Sequence, residues 1–199
     1  MSAYQHFLNF FSMYNKERLD GLGWEYFTAM TNEELARAFD HLLAMVEKGG
    51  SQETVNGLFT ADAERAVQPV LRLLEAGRLN DEAEMAAAFH LWQMQYSDRL
   101  PEICMKYMNS LNRDLRQKAV YYMPSIKLTD ALKRNLHNLV LHEDDRLTRI
   151  RAVEKLFECY GVDKATVGKD AYLKMYRALH GEDAHAKQAV FRQLDDMYR

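Results

Sequence analysis

The chain has 199 residues, with 26 Lys and Arg against 29 Asp and Glu and a formal charge of −3. A charge this near neutral argues against a general nucleic-acid binder, which carries a strong basic excess, although it leaves room for a local basic patch. Hydrophobic residues at 48% and charged residues at 28% exclude a disordered chain, and the length suits one compact domain with a sizeable core.

Nine Gly and three Pro provide too little turn punctuation for an all-β sandwich. No glycine-rich phosphate loop occurs, so the composition predicts helices. Cys104 and Cys159 form no CxxC. Met1 to His6 shows no basic n-region, so both read as reduced, buried thiols. The longest uncharged run, Met85–Ser97, is too short to span a bilayer. Together these features imply a soluble, cytoplasmic protein.

In chain order, Tyr4, Phe7, Leu8, Phe11 and Met13 predict a buried helix over 3–14. Gly21, Gly23 and the cluster Trp24, Tyr26 and Phe27 predict a loop or short helix over 16–30, with Trp24 plugging the core or serving as an aromatic anchor. Thr31 and Glu34 have capping-box spacing, and Gly49-Gly50 stops the helix they open. Residues 49–59, with Asn56-Gly57, read as a loop. A helix over 60–76 follows, kinked or broken at Pro69. Helices over 81–96, 101–110, 112–123, 129–141, 145–160, 169–180 and 183–198 complete the chain, bounded by Pro101, Pro124, Gly161 and Gly181. Short connections pair them as antiparallel hairpins.

Two segments repeat. At an offset of 33, Asn112, Arg113, Arg116, Ala119, Val120 and Met123 align with Asp145, Arg146, Arg149, Ala152, Val153 and Leu156. Weaker copies centre on Asp81, Met85, Ala88 and Trp92, and on Ala189-Val190. The cap satisfies exposed N–H groups, the small residue admits a close neighbour, and the Arg can bridge to a carboxylate on the next hairpin. This pattern resembles the second helix of HEAT-like repeats. The resemblance implies an all-α fold: a right-handed stack of about five antiparallel helix hairpins, a HEAT-like α-solenoid. It would form a single domain over 1–199, irregular over 1–59 and regular over 60–199. Such arrays leave one long face free for a partner.

Catalytic motifs are missing: HExxH, GxSxG and a Cys–His pair in a known context are all absent. Cys104, among Ile103, Met105 and Tyr107, reads as core. His180-Gly-Glu-Asp-Ala-His185 and His142-Glu-Asp-Asp145 read as loops with acidic helix caps, and no metal or cofactor is implied. Arg146, Arg149 and Arg151 could meet phosphate, but acidic neighbours balance them.

Helix 81–96 is apolar nearly all round and reads as central; its polar arc is Glu82, His90 and Gln93. The matching arcs are Asp114, Gln117 and Lys118, edged by Tyr121, and Thr148, Arg151, Lys155 and Glu158. Side by side, these arcs would make a mixed-charge groove for a protein partner. A small, slightly acidic helical chain of this kind resembles, as a class, the immunity proteins of bacterial toxin systems, which bind and block a cognate toxin domain. The alternatives are a HEAT-like nucleic-acid binder or DNA glycosylase, needing a basic concave face, and a helical enzyme with a scattered site.

Overall fold

The computed structural model describes residues 2–13 and 21–198. The expected end of the first helix and start of the first loop, over 14–20, lie outside the described residues. All regular structure among the described residues is α-helical, in thirteen helices. The chain divides into two compact units, Met1–Leu100 and Pro101–Arg199. No described helix is long and apolar enough to cross a membrane.

The first unit holds α1 (Ala3–Phe10), α2 (Glu25–Thr28), α3 (Asn32–Val46), α4 (Gln52–Ala61), α5 (Ala63–Glu75) and α6 (Asp81–Gln93). Helix α4 packs on α3, α5 and α6, while α1 packs on α2 and α3. The capping box at Thr31 and Glu34 forms as the spacing predicts, with both reciprocal bonds present. Helix α6 buries Ala83, Met85, Ala86, Ala87, Ala88 and Leu91, in keeping with its largely apolar sequence after the first turn.

Three expectations are corrected here. Residues 49–59 are not a loop: most of them form α4. Ser51 caps that helix by accepting from the Thr54 N–H, and the Ser51 N–H donates to the Thr54 hydroxyl at 2.8 Å. Asn56-Gly57 therefore lies mid-helix. A Cβ on Gly57 would come within 2.6 Å of Leu22 Cδ2 and 3.3 Å of Leu42 Cδ1. The missing side chain is what lets the helix seat so deeply.

The single helix expected over 60–76 is two. Asp62 adopts an extended conformation between them, and its carboxylate accepts the Arg65 N–H at 3.0 Å to start α5. Helix α5 then runs through Pro69 without a break. Finally, Trp24 does not plug the core: it is 69% exposed, while Leu22, Tyr26, Phe27 and Met30 are buried.

The second unit holds α7 (Leu100–Tyr107) from its second residue on, α8 (Arg113–Tyr122), α9 (Asp130–His142), α10 (Arg146–Cys159), α11 (Lys164–Val167), α12 (Lys169–His180) and α13 (Ala184–Tyr198). Helix α10 packs on α8, α9 and α12, and α13 packs on α9 and α12. The two aligned segments fold alike. Asn112 and Asp145 cap α8 and α10, and Ala119, Val120, Ala152 and Val153 are buried. Helix α12 lies against α10, the second helix of the preceding pair.

Arg116 and Arg149 each reach an acidic residue further along the chain. Arg116 Nε and Nη2 donate to the two Glu143 carboxylate oxygens, and Arg149 Nη2 lies 3.6 Å from Glu182 Oε1. Glu143, expected to cap a turn, is buried instead; Asp145 does the capping.

Candidate partner-binding surface

The eleven polar-arc residues divide between the units. Glu82, His90 and Gln93 lie on α6 in the first. His90 does not face a free groove: its Nε2 donates to Asn56 Oδ1 at 2.9 Å, and its ring stacks on Phe59 at 4.4 Å. Burial in this sandwich lowers its pKa to about 4. Glu82 is half-buried and Gln93 exposed. Gln93 instead borders a groove of 940 Å³ with Trp92, Tyr96 and Asp98, where the chain leaves α6 through Gln95 at φ 62°.

The other eight lie in the second unit. Thr148 is not on a free face: it is buried, and its N–H and hydroxyl donate to Asp145 Oδ2. Four of the rest form two pairs. The Arg151 guanidinium stands 4.6 Å over the Tyr121 ring, joining α10 to the end of α8. Tyr121 remains 63% exposed. One turn further along α10, Lys155 Nζ lies 2.6 Å from Glu158 Oε2, and the Ser125 hydroxyl donates to Glu158 Oε1. Burial acts to raise the Glu158 carboxyl, but Lys155 and Ser125 outweigh it and hold it below the ordinary range.

Arg151, Lys155 and Glu158 are spaced i, i+4 and i+7, so they share one face of α10. Asp114 is exposed beside Arg113, at 3.4 Å, while Gln117 and Lys118 are half-buried along α8. The result is a row of mixed charge with one exposed aromatic ring.

Sequence reasoning did not find the groove of 480 Å³ beside this row. It is lined by Glu154, Phe157, Glu158, Asp163, Lys164 and Tyr172, among others. Spacing alone could not reveal it, because it forms where α10 meets α11 and α12. The Phe157 and Tyr172 rings meet edge to face at 5.2 Å, and Tyr176 stacks on Tyr172 at 6.0 Å.

Two polar clusters, one half-buried and one buried, act as fasteners. Asp195 Oδ1 accepts from Lys133 Nζ and from the Tyr160 hydroxyl, both at 2.5 Å, tying α9 and the end of α10 to α13. Burial and Asp195 raise the Tyr160 pKa, so its proton is held and unfit for transfer. Lys187 is 3% exposed and donates to the Val140 carbonyl at 2.8 Å. Cys104 is buried, and burial raises its pKa to about 12, which silences it as a nucleophile. No group of three His, Cys, Asp or Glu residues suited to a metal occurs among the described residues.

Comparison with protein-family models, with curated proteins and with solved structures gives no match. The functional reading therefore rests on the geometry.

Proposed function

We propose that this chain is a non-catalytic protein-binding module whose partner docks on the face of α8 and α10. The carrying observation is the row Tyr121, Arg151, Lys155 and Glu158: an exposed aromatic ring held by a guanidinium, flanked by charges of both signs. An aromatic anchor inside a mixed-charge rim is how protein interfaces concentrate affinity and select partners. In this reading the repeated hairpins form a HEAT-like array that presents the row, and the chain works in the cytoplasm.

The best occupant is a cognate bacterial toxin domain, bound so that its active site is covered. The support is by class: a small, slightly acidic helical chain. Nucleic acid is the weaker reading, because Arg149 is engaged by Glu182 and the Glu143 carbonyl, and Arg151 by Tyr121.

The test is an affinity capture with nuclease-treated lysate at low and high salt, followed by titration of the captured partner. Capture of a protein, lost on Arg151→Glu with the helical spectrum retained, supports the reading. Recovery of nucleic acid alone, or a partner indifferent to Arg151→Glu, overturns it.

A further inference from the structure

The aromatic groove at the end of the row has a definite chemistry. One wall is the Phe157 and Tyr172 ring pair, backed by Tyr176. The rim carries three carboxylates, and they are not equivalent. Glu158 is held by Lys155 and Ser125, and Asp163 Oδ1 accepts the Ala165 and Thr166 N–H groups that start α11. Glu154 has neither a hydrogen bond nor an ion pair among the described residues. It thus offers an uncommitted carboxylate at the edge of an aromatic slot.

One cation of the chain itself already approaches this slot. Lys164 Nζ, on the short α11, points over the Tyr172 ring at 5.6 Å. Elsewhere in the molecule, guanidinium groups approach ring faces more closely, Arg37 over Tyr4 at 4.2 Å and Arg65 over Phe39 at 4.1 Å. Lys164 therefore occupies the slot loosely. A planar guanidinium could stack on Tyr172 at shorter range and pair with the free carboxylate at the same time, which a compact ammonium cannot do as well.

We propose that this groove receives one arginine side chain from a basic segment of the protein partner, stacked on Tyr172 and paired with Glu154, with Lys164 displaced. The inference rests on the protein-binding reading and names the partner chemistry at the Glu158 end of the same surface. Charge complementarity selects the occupant: the uncommitted Glu154 carboxylate borders a slot whose only basic side chain among the described lining residues is the loosely placed Lys164.

The test is a titration of the full chain with acetyl-Gly-Arg-Gly-amide, followed by NMR shifts of the Tyr172 and Phe157 ring protons. The control probe is the matching citrulline peptide, of nearly the same shape without the charge. The arginine peptide gives a saturable shift, and the citrulline peptide binds about tenfold more weakly. Glu154→Gln weakens the arginine peptide about fivefold, and Lys164→Ala strengthens it about twofold to fivefold by removing the internal competitor. Both positions are exposed, so neither substitution threatens the fold.

No saturable shift, equal binding of the two peptides, or indifference to Glu154→Gln overturns the proposal. Tighter binding of a lysine peptide than of the arginine peptide also overturns it. The peptide titration needs no partner, so it can fail while Arg151-dependent capture stands, and capture can fail while the titration stands.

Discussion

Arg116 and Glu143 form a two-point ion pair, with Nε to Oε2 at 2.5 Å and Nη2 to Oε1 at 2.9 Å. The Glu143 carboxylate is only 2% exposed and also accepts the Asp145 N–H at 3.0 Å. Arg116 spends its remaining Nη1 donor on the Ser110 and Leu111 carbonyls. One side chain thus ties the entry of α8 to the turn between α9 and α10.

Breaking this pair from one side strands a buried charge. Arg116→Leu should destabilise the chain by about 3 kcal/mol in urea unfolding, and the double change with Glu143→Leu should recover most of that loss. Arg116, with burial opposing, lowers the Glu143 pKa. Its contribution is therefore complete above the ordinary carboxyl value of 4.5 and lost as pH falls through the lowered folded value. A double variant no more stable than Arg116→Leu alone would contradict this account.

His90 and His137 set a second, separate acid window. Burial, the main cause for both, lowers each pKa from 6.5 to about 4; at His137, Lys133 adds to the lowering and Asp195 opposes it. The unfolded chain then binds more protons than the folded one between those values. Stability is complete above pH 6.5, declines as pH falls towards 4, and levels off below. After discounting for partial exposure, the contribution is about 1–2 kcal/mol per ring.

The two rings should respond differently to replacement. His137 stacks on Phe191 at 3.7 Å with a buried Nε2 that makes no hydrogen bond among the described residues. His137→Leu should raise stability at neutral pH by about 0.5–1 kcal/mol and flatten the acid decline. His90→Leu strands the Asn56 acceptor and should lower stability. Melting temperatures at pH 7 and pH 5 decide between these signs.

Gly57 is a packing position. Gly57→Val should cost about 2–3 kcal/mol, because Leu22 and Leu42 already occupy the space a side chain would need. Thermal melts followed by circular dichroism measure this. A neutral result would mean that the contact of α4 with α3 can open without strain.

Tyr121 separates surface from scaffold. Being 63% exposed, with an exposed-site cation–π contact to Arg151, it contributes under about 1 kcal/mol to folding. Tyr121→Ala should leave the melting temperature nearly unchanged and weaken the captured partner at least about tenfold. A large melting shift with unchanged affinity would place Tyr121 in the scaffold.

Helix starts were legible at four of the side-chain caps. Thr31, Asn112, Thr129 and Asp145 mark helices within a residue or two, because each side-chain oxygen satisfies N–H groups that have no other partner. Helix α4 was missed because its capping box pairs Ser51 with Thr54 instead of an acid, and because Asn56-Gly57 favours turns in isolation. Only the approach of Leu22 and Leu42, distant in sequence, explains a glycine mid-helix. The same limit hid the Glu154 groove and the burial of Glu143, since both depend on which helices become neighbours. Tyr121, Arg151, Lys155 and Glu158 could be chosen from helical spacing, but their pairing could not.

The two repeated arginines also differ in how firmly they hold. Arg116 grips a carboxylate sealed from water, whereas Arg149 meets Glu182 at 3.6 Å with that carboxylate 86% exposed. Salt and solvent weaken the second clasp far more than the first. Within the second unit, fraying should begin at α12 and α13, and amide exchange there should quicken with added salt while α8 to α10 stay protected.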